Sequence, residues 1–103
     1  MYRGTTPSIS FKINTDLDLT TISECWVTFK AHTGNKEKTF DISDLIIDPE
    51  AKTITVSMSQ DETLFFNTGT IDIQIRLRTN DDLAYASDIK EIRMKKILKD
   101  GEI

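Results

Sequence analysis

Apolar and polar residues alternate one by one along several short segments, and this period of two constrains the fold more than any other feature. The clearest segment covers residues 71–78, where Ile and Leu alternate with Asp, Gln and Arg. Residues 9–13, 25–31 and 54–58 show the same alternation. Since successive side chains of a strand point to opposite faces, each segment has one apolar and one solvated face. This pattern predicts antiparallel sheets rather than buried parallel strands.

Turn signals separate these segments. Residues 33–35 (Thr-Gly-Asn) and 80–82 (Asn-Asp-Asp) indicate hairpin turns, and residues 48–50 (Asp-Pro-Glu) indicate a proline-fixed turn. Beyond them, the pattern predicts strands over residues 83–89 and 91–98.

Two short helical turns are predicted between the strands. Ser59 and Glu62 have the spacing of a capping box, in which each residue satisfies a backbone N–H of the other. A second turn is expected over residues 18–23, with Asp18 or Thr20 as its cap.

About seven strands with regular turns predict a single all-β domain over residues 1–103, an immunoglobulin-like antiparallel β-sandwich with one or two helical turns. Residues 1–7 are expected to form an N-terminal arm, and residues 99–103 a loose tail. Trp26 lies on the second strand, and its position in the core or on the outer face stays open, although the alternation places Cys25, Val27 and Phe29 on the opposite side.

The composition excludes several classes of partner. Lys and Arg number 13 against 17 Asp and Glu, so the net charge is -4 and the expectation is no nucleic-acid binding. No apolar run approaches the ~20 residues that cross a bilayer, so no membrane association is predicted. A single cysteine excludes an intramolecular disulfide. These features favour folding in a bacterial cytoplasm.

Cys25 and His32 are the only cysteine and histidine of the chain. A Cys–His nucleophile needs both side chains in one pocket with a third orienting group, and zinc needs three or four ligands that are usually His and Cys. The sequence therefore predicts a buried structural cysteine, a solvated histidine beside a turn, and no catalytic or metal site.

Acidic residues are concentrated in the predicted loops, where calcium could find some of its oxygen ligands. Surface loops and helix caps explain them more simply; they are Asp16, Asp18, Asp41, Asp44, Asp48, Glu50, Asp81, Asp82 and Asp88. The basic residues 90–99 fit either an amphipathic helix or an edge strand with lysines on its wet face. The period of Ile92 and Met94 favours the strand. No nucleophile elbow, phosphate loop or zinc-protease motif occurs, so the sequence predicts a protein that is not an enzyme and has no cofactor.

Several short segments resemble those of a known class of proteins. They are residues 2–7 (Tyr-Arg-Gly-Thr-Thr-Pro), 59–66 (Ser-Gln-Asp-Glu-Thr-Leu-Phe-Phe), 73–78 (Ile-Gln-Ile-Arg-Leu-Arg), 86–89 (Ala-Ser-Asp-Ile) and 97–101 (Ile-Leu-Lys-Asp-Gly). Their order resembles small structural proteins of phages and prophages in Gram-positive bacteria, and is similar to immunoglobulin-like domains at the start of some phage baseplate proteins. The resemblance implies a β-sandwich in or near a virion tail or baseplate, and it brings no catalytic residues.

The expected function is therefore that of a structural or assembly protein of a phage particle. Its expected partners are other phage structural proteins or further copies of itself, and a small-molecule ligand is disfavoured. The candidate interface residues are Tyr2, Arg3, Trp26 and Tyr85, since Tyr, Trp and Arg are enriched at interfaces. Two alternatives stay open: a module that binds host-surface glycans through its exposed aromatics, and a regulatory protein encoded by the prophage.

Overall fold

The computed structural model describes residues 1–14 and 16–103, and these residues form two antiparallel sheets. The eight strands in this described part are β1 (Ser8–Lys12), β2 (Ile22–Ala31), β3 (Glu37–Phe40), β4 (Leu45–Asp48), β5 (Thr53–Ser57), β6 (Gly69–Thr79), β7 (Ala84–Ala86) and β8 (Lys90–Met94). A short helix, α1 (Gln60–Phe65), and two 3-10 turns, Leu19–Thr21 and Ile42–Asp44, connect them. The predicted all-β sandwich is confirmed, with eight strands in place of about seven.

The smaller sheet has the order β1-β5-β4, and the larger sheet has the order β3-β2-β6. Both β7 and β8 pair with the remaining edge of β6, β7 with residues 76–78 and β8 with residues 69–73. This order corresponds to strands B-E-D in one sheet and C′-C-F-G in the other sheet of an immunoglobulin domain.

The last two strands are shorter than the alternation predicts. Instead of spanning residues 83–89, β7 ends at Ala86, and β8 ends at Met94 rather than at residue 98. Ser87 is the physical cause of the first break: its hydroxyl accepts the Ile75 N–H at 2.9 Å, in the place that a backbone carbonyl takes in a regular ladder. The prediction of an edge strand for the basic segment is nevertheless confirmed.

The core lies between the two sheets and is centred on Phe29. Its ring makes an edge-to-face contact with Phe40 at a centroid distance of 5.6 Å and packs against Phe66 in a tilted arrangement at 6.4 Å. Buried aliphatic and sulfur-containing side chains complete the core: Cys25, Val27, Ala31, Ile54, Val56, Met58, Ile71, Ile73, Ile75, Leu77 and Met94. Every apolar position of the alternating segment 71–77 therefore faces inward, as predicted.

The local signals of the loops are also confirmed. Ser59 caps α1 with a complete capping box, since its hydroxyl accepts the Glu62 N–H and the Glu62 carboxylate accepts the Ser59 N–H. Asp18 caps the turn at Leu19–Thr21. Asp48 accepts the backbone N–H groups of the two residues that follow Pro49. No helix among the described residues is long and apolar enough to span a membrane.

Residues near both chain ends make contacts within the chain, while residues 99–103 are all exposed. Tyr2 forms a parallel bridge to Lys95 beyond β8. The guanidinium of Arg3 donates to the carbonyl oxygens of Phe66 at 2.9 Å and Leu64 at 3.1 Å, and it pairs with Asp100. These partners lie more than 60 positions away in the chain, so local sequence patterns do not reveal them.

Candidate functional site

The solvent-facing side of the larger sheet carries an exposed pair formed by Trp26 and Arg76. The two residues lie directly opposite each other on β2 and β6, and the Arg76 guanidinium lies 5.7 Å from the centre of the indole. A cation at this distance from an aromatic face is attracted by the ring quadrupole. Trp26 nevertheless stays 44% exposed. The sequence left open whether Trp26 lies in the core or on the outer face, and in the structure it lies on the outer face.

Trp26 and Tyr85 line one hollow at this surface. The hollow has a volume of about 170 Å³, and its other walls are Glu24, Arg76, Leu77, Arg78 and Ala84. This volume is below the ~300 Å³ at which small-molecule pockets begin. This hollow by itself therefore suits a single side chain of a partner, whereas the two hollows beside it, which Tyr85 also lines, are larger at about 570 and 370 Å³.

Tyr85 is opposite the buried Leu77 in register, so its side chain is directed to the other face of the sheet edge from Trp26, and it lines this hollow and two neighbouring ones. One neighbour lies at the β6–β7 turn and includes Leu17 and Leu83. The other lies at the opening between the two sheets and includes Ile13 and Ile75. Tyr85 is 46% exposed and Leu83 is 51% exposed. We call the area formed by Trp26, Arg76, Arg78, Leu83 and Tyr85 the Trp26–Tyr85 surface.

The structure separates the other two candidate interface residues from this surface. Tyr2 is exposed beside the end of β8, where the Lys95 ammonium lies 5.3 Å from its ring. The end of β8 pairs with Gly69, whereas Trp26 pairs with Arg76, so the two aromatics are about 24 Å apart along β6 at the usual rise per residue. The Arg3 side chain is only 17% exposed, and it forms an ion pair and hydrogen bonds within the chain. Arg3 therefore links distant parts of the chain, and we call this set of contacts the Arg3 tie.

Three members of the Trp26–Tyr85 surface were not selected from the sequence: Arg76, Arg78 and Leu83. Arg76 and Arg78 occupy polar positions of the alternating segment, which indicated only that they face solvent. The missing information was the register, because only the pairing of Trp26 with Arg76 brings the aromatic and the cation together.

Cys25 and His32 lie on different sides of the larger sheet. Cys25 is fully buried in the core, and burial, followed by the charge of Glu24, raises the pKa of its thiol to about 11. His32 follows the end of β2 on the solvent side, where its Nε2 lies 2.9 Å from Asp72 Oδ1. The two side chains do not converge, so this geometry gives no Cys–His nucleophile.

Two of the acidic loop residues, Asp18 and Asp41, serve as local caps. Asp18 accepts hydrogen bonds from the hydroxyl and the backbone N–H of Thr20, and these two bonds hold its pKa below the ordinary value of 3.8. Asp41 is held in the same way by the hydroxyl and backbone N–H of Ser43. Capping thus explains these carboxylates without a calcium ion.

Comparisons with protein-family models, with curated proteins and with solved structures found no match to this chain.

Proposed function

We propose that this protein is a non-enzymatic structural or assembly protein of a phage or prophage particle, associated with the tail or baseplate, and that it acts through the Trp26–Tyr85 surface. The observation that carries the proposal is the clustering of an exposed Trp and two Arg side chains on the solvent-facing side of the larger sheet, with an exposed Tyr on the adjoining edge strand. These three residue types are enriched among the few residues that dominate the binding energy of protein interfaces. The resemblance of residues 2–7 and 59–66 to phage structural proteins supports the proposal that the particle is that of a phage or prophage.

The surface has the layout of a small protein interface. Trp26, Leu83 and Tyr85 supply apolar area, and the hollow between Trp26 and Tyr85 can take one side chain of a partner. Arg76 and Arg78 supply donors that can pair with carboxylates of the partner. The short strand β7 forms the sheet edge beside them, where an extended segment of a partner can add backbone hydrogen bonds.

The first test is mass spectrometry of purified phage particles from a producing strain. We expect the polypeptide in the particles, at a copy number that follows the cyclic symmetry of the tail rings. Expression in the cell together with absence from the particles would contradict the structural role and favour an assembly chaperone or a prophage-encoded regulator.

The second test concerns the surface itself. Trp26→Ala and Tyr85→Ala are each expected to weaken the complex with the partner recovered from particles by at least ~30-fold, the scale of an interface hot spot. Ile46→Ala is the matched control, because Ile46 is an exposed apolar residue on β4 of the other sheet. An equal loss in all three variants, or no loss in the first two, would reject this surface as the interface.

A glycan-binding module is the second candidate, and the exposure of Trp26 beside Tyr85 favours it. Sugars stack on exposed aromatic faces, but here Arg76 already lies over the indole and would have to move. A glycan array separates the candidates: a signal that Trp26→Ala abolishes supports sugar binding, and a blank array removes it.

A further inference from the structure

We propose that His32, Asp72 and Glu91 form a binding site for a divalent transition-metal ion such as Zn²⁺ on the outer face of the larger sheet. One ligand atom from each of the three residues lies within 4.8 Å of the other two. The three residues come from the end of β2, from β6 and from β8, so neighbouring parts of one sheet hold them.

The positions of the ligands follow from the strand register. Asp72 and Glu91 are directly opposite each other on β6 and β8. His32 lies one step beyond the pair formed by Ala31 and Ile71, and its backbone N–H donates to the Thr70 carbonyl at 3.0 Å. These contacts place the imidazole beside Asp72 on the solvent side, with Nε2 2.9 Å from Oδ1. Ligand atoms of a tetrahedral zinc ion lie about 3.3 Å apart, so small side-chain rotations suffice to bind one ion.

Charge gives an independent reason for a cation at this place. Two carboxylates directly opposite each other on neighbouring strands repel and destabilise the pairing. Among the ion pairs of the described residues, Asp72 takes part only in the one with His32. Lys30 is opposite Asp72 in register, and Arg93 follows Glu91 on the same face, yet neither lies within ion-pair distance of these carboxylates. A divalent ion would neutralise both carboxylates.

The ligand set indicates the class of metal. One imidazole with two carboxylates suits zinc and its first-row neighbours, whereas calcium takes six to eight oxygen ligands. Three protein ligands also leave a fourth position for water or for a group of a partner. The sequence prediction of no metal site counted only His and Cys as ligands and did not include the two carboxylates, which lie 40 and 59 positions beyond His32.

The test is calorimetric titration of untagged protein with ZnCl₂, alongside His32→Ala, Asp72→Asn and Glu91→Gln. We expect one saturable site in the native protein, and affinity reduced at least ~10-fold in each variant, by analogy with the loss of partners that orient metal ligands. Glu50→Gln is the matched control, since Glu50 is an exposed carboxylate in the β4–β5 turn, and it should bind zinc as the native protein does. The thermal transition of each metal-free variant checks that it is folded.

Chemical shifts of the His32 imidazole nitrogens provide a readout that does not depend on affinity. Zinc should move the nitrogen resonances of this single histidine, and an equal concentration of CaCl₂ should not. Absence of saturable zinc binding would overturn the proposal. Native affinity in Asp72→Asn and Glu91→Gln would also overturn it, because zinc would then be bound elsewhere.

Discussion

Trp26 and Phe29 lie on the same strand, but the Trp26 side chain points to solvent and the Phe29 side chain points into the core. In antibody domains, the strand that corresponds to β2 carries a buried Trp against a disulfide. Here Phe29 is fully buried among Phe40 and Phe66, whereas Trp26 faces solvent. The inward register of Cys25 and Phe29 requires this arrangement, because residues an odd number of positions apart in a strand point to opposite faces.

Cys25 provides a prediction at the same scale. Since the pKa of its thiol is raised to about 11 and the side chain is fully buried, we expect Ellman's reagent to react slowly with the folded protein at pH 8 and rapidly in urea. A variant that combines Cys25→Ala with Thr68→Cys places the thiol in an exposed loop and should react rapidly when folded. Native Cys25 reacting as fast as this control would contradict its burial.

The raised pKa of the Cys25 thiol also makes the stability of the protein depend on pH. The pKa of the folded thiol lies above the ordinary value of 9.0, so burial of the protonated form stabilises the fold fully below pH 9.0. That contribution is lost as the pH rises towards 11, where the unfolded chain gains by ionising first. The urea midpoint of the native protein is therefore expected to fall between these pH values, and to fall less in Cys25→Ala.

At the scale of elements, the capping box decides where α1 begins. A helix of six residues is too short to persist alone, so α1 depends on its cap and on its contacts with the sandwich. Thr63 supplies one such contact, since its hydroxyl donates to the Thr5 carbonyl at 2.8 Å. Phe66, directly after α1, supplies another through its burial beside Phe29.

Removing the cap is expected to lower the stability of the protein. Ser59→Ala should reduce the free energy of unfolding by about 1 kcal/mol, because the Glu62 N–H loses its acceptor. Ser59→Asp keeps an acceptor at the same position and should stay close to the native value. Urea denaturation measures both variants, and native stability of Ser59→Ala would show that the cap contributes nothing.

At the scale of the whole molecule, Arg3 joins parts of the chain that are distant in sequence. Its donors satisfy the carbonyl oxygens of Leu64 and Phe66 at the end of α1, and its charge pairs with Asp100 near the other chain end. Cationic side chains that bond the last carbonyls of a helix act as a C-terminal cap. One guanidinium thus links the first residues, α1 and the last residues.

Arg3→Ala is expected to lower the free energy of unfolding by about 1.5–3 kcal/mol, the usual range for hydrogen bonds to a charged group. Arg3→Lys should recover little of this loss, because a lysine cannot reproduce the planar fork. Arg93→Ala is the control, since Arg93 is exposed on β8 and should have little effect. Chemical denaturation distinguishes these outcomes, and native stability in Arg3→Ala would exclude the tie.

The sequence by itself determined the all-β class, the inward face of each alternating segment, the main turns and the cap at Ser59, and it narrowed the other cap to Asp18 or Thr20. All of these depend on residues within a few positions of one another, so periodicity and turn chemistry reveal them. Only the tertiary structure decided the neighbours: Arg76 beside Trp26, Asp72 and Glu91 beside His32, and α1 beside Arg3. Strand order and register set these contacts, and both depend on burying the whole core at once, which no local pattern records.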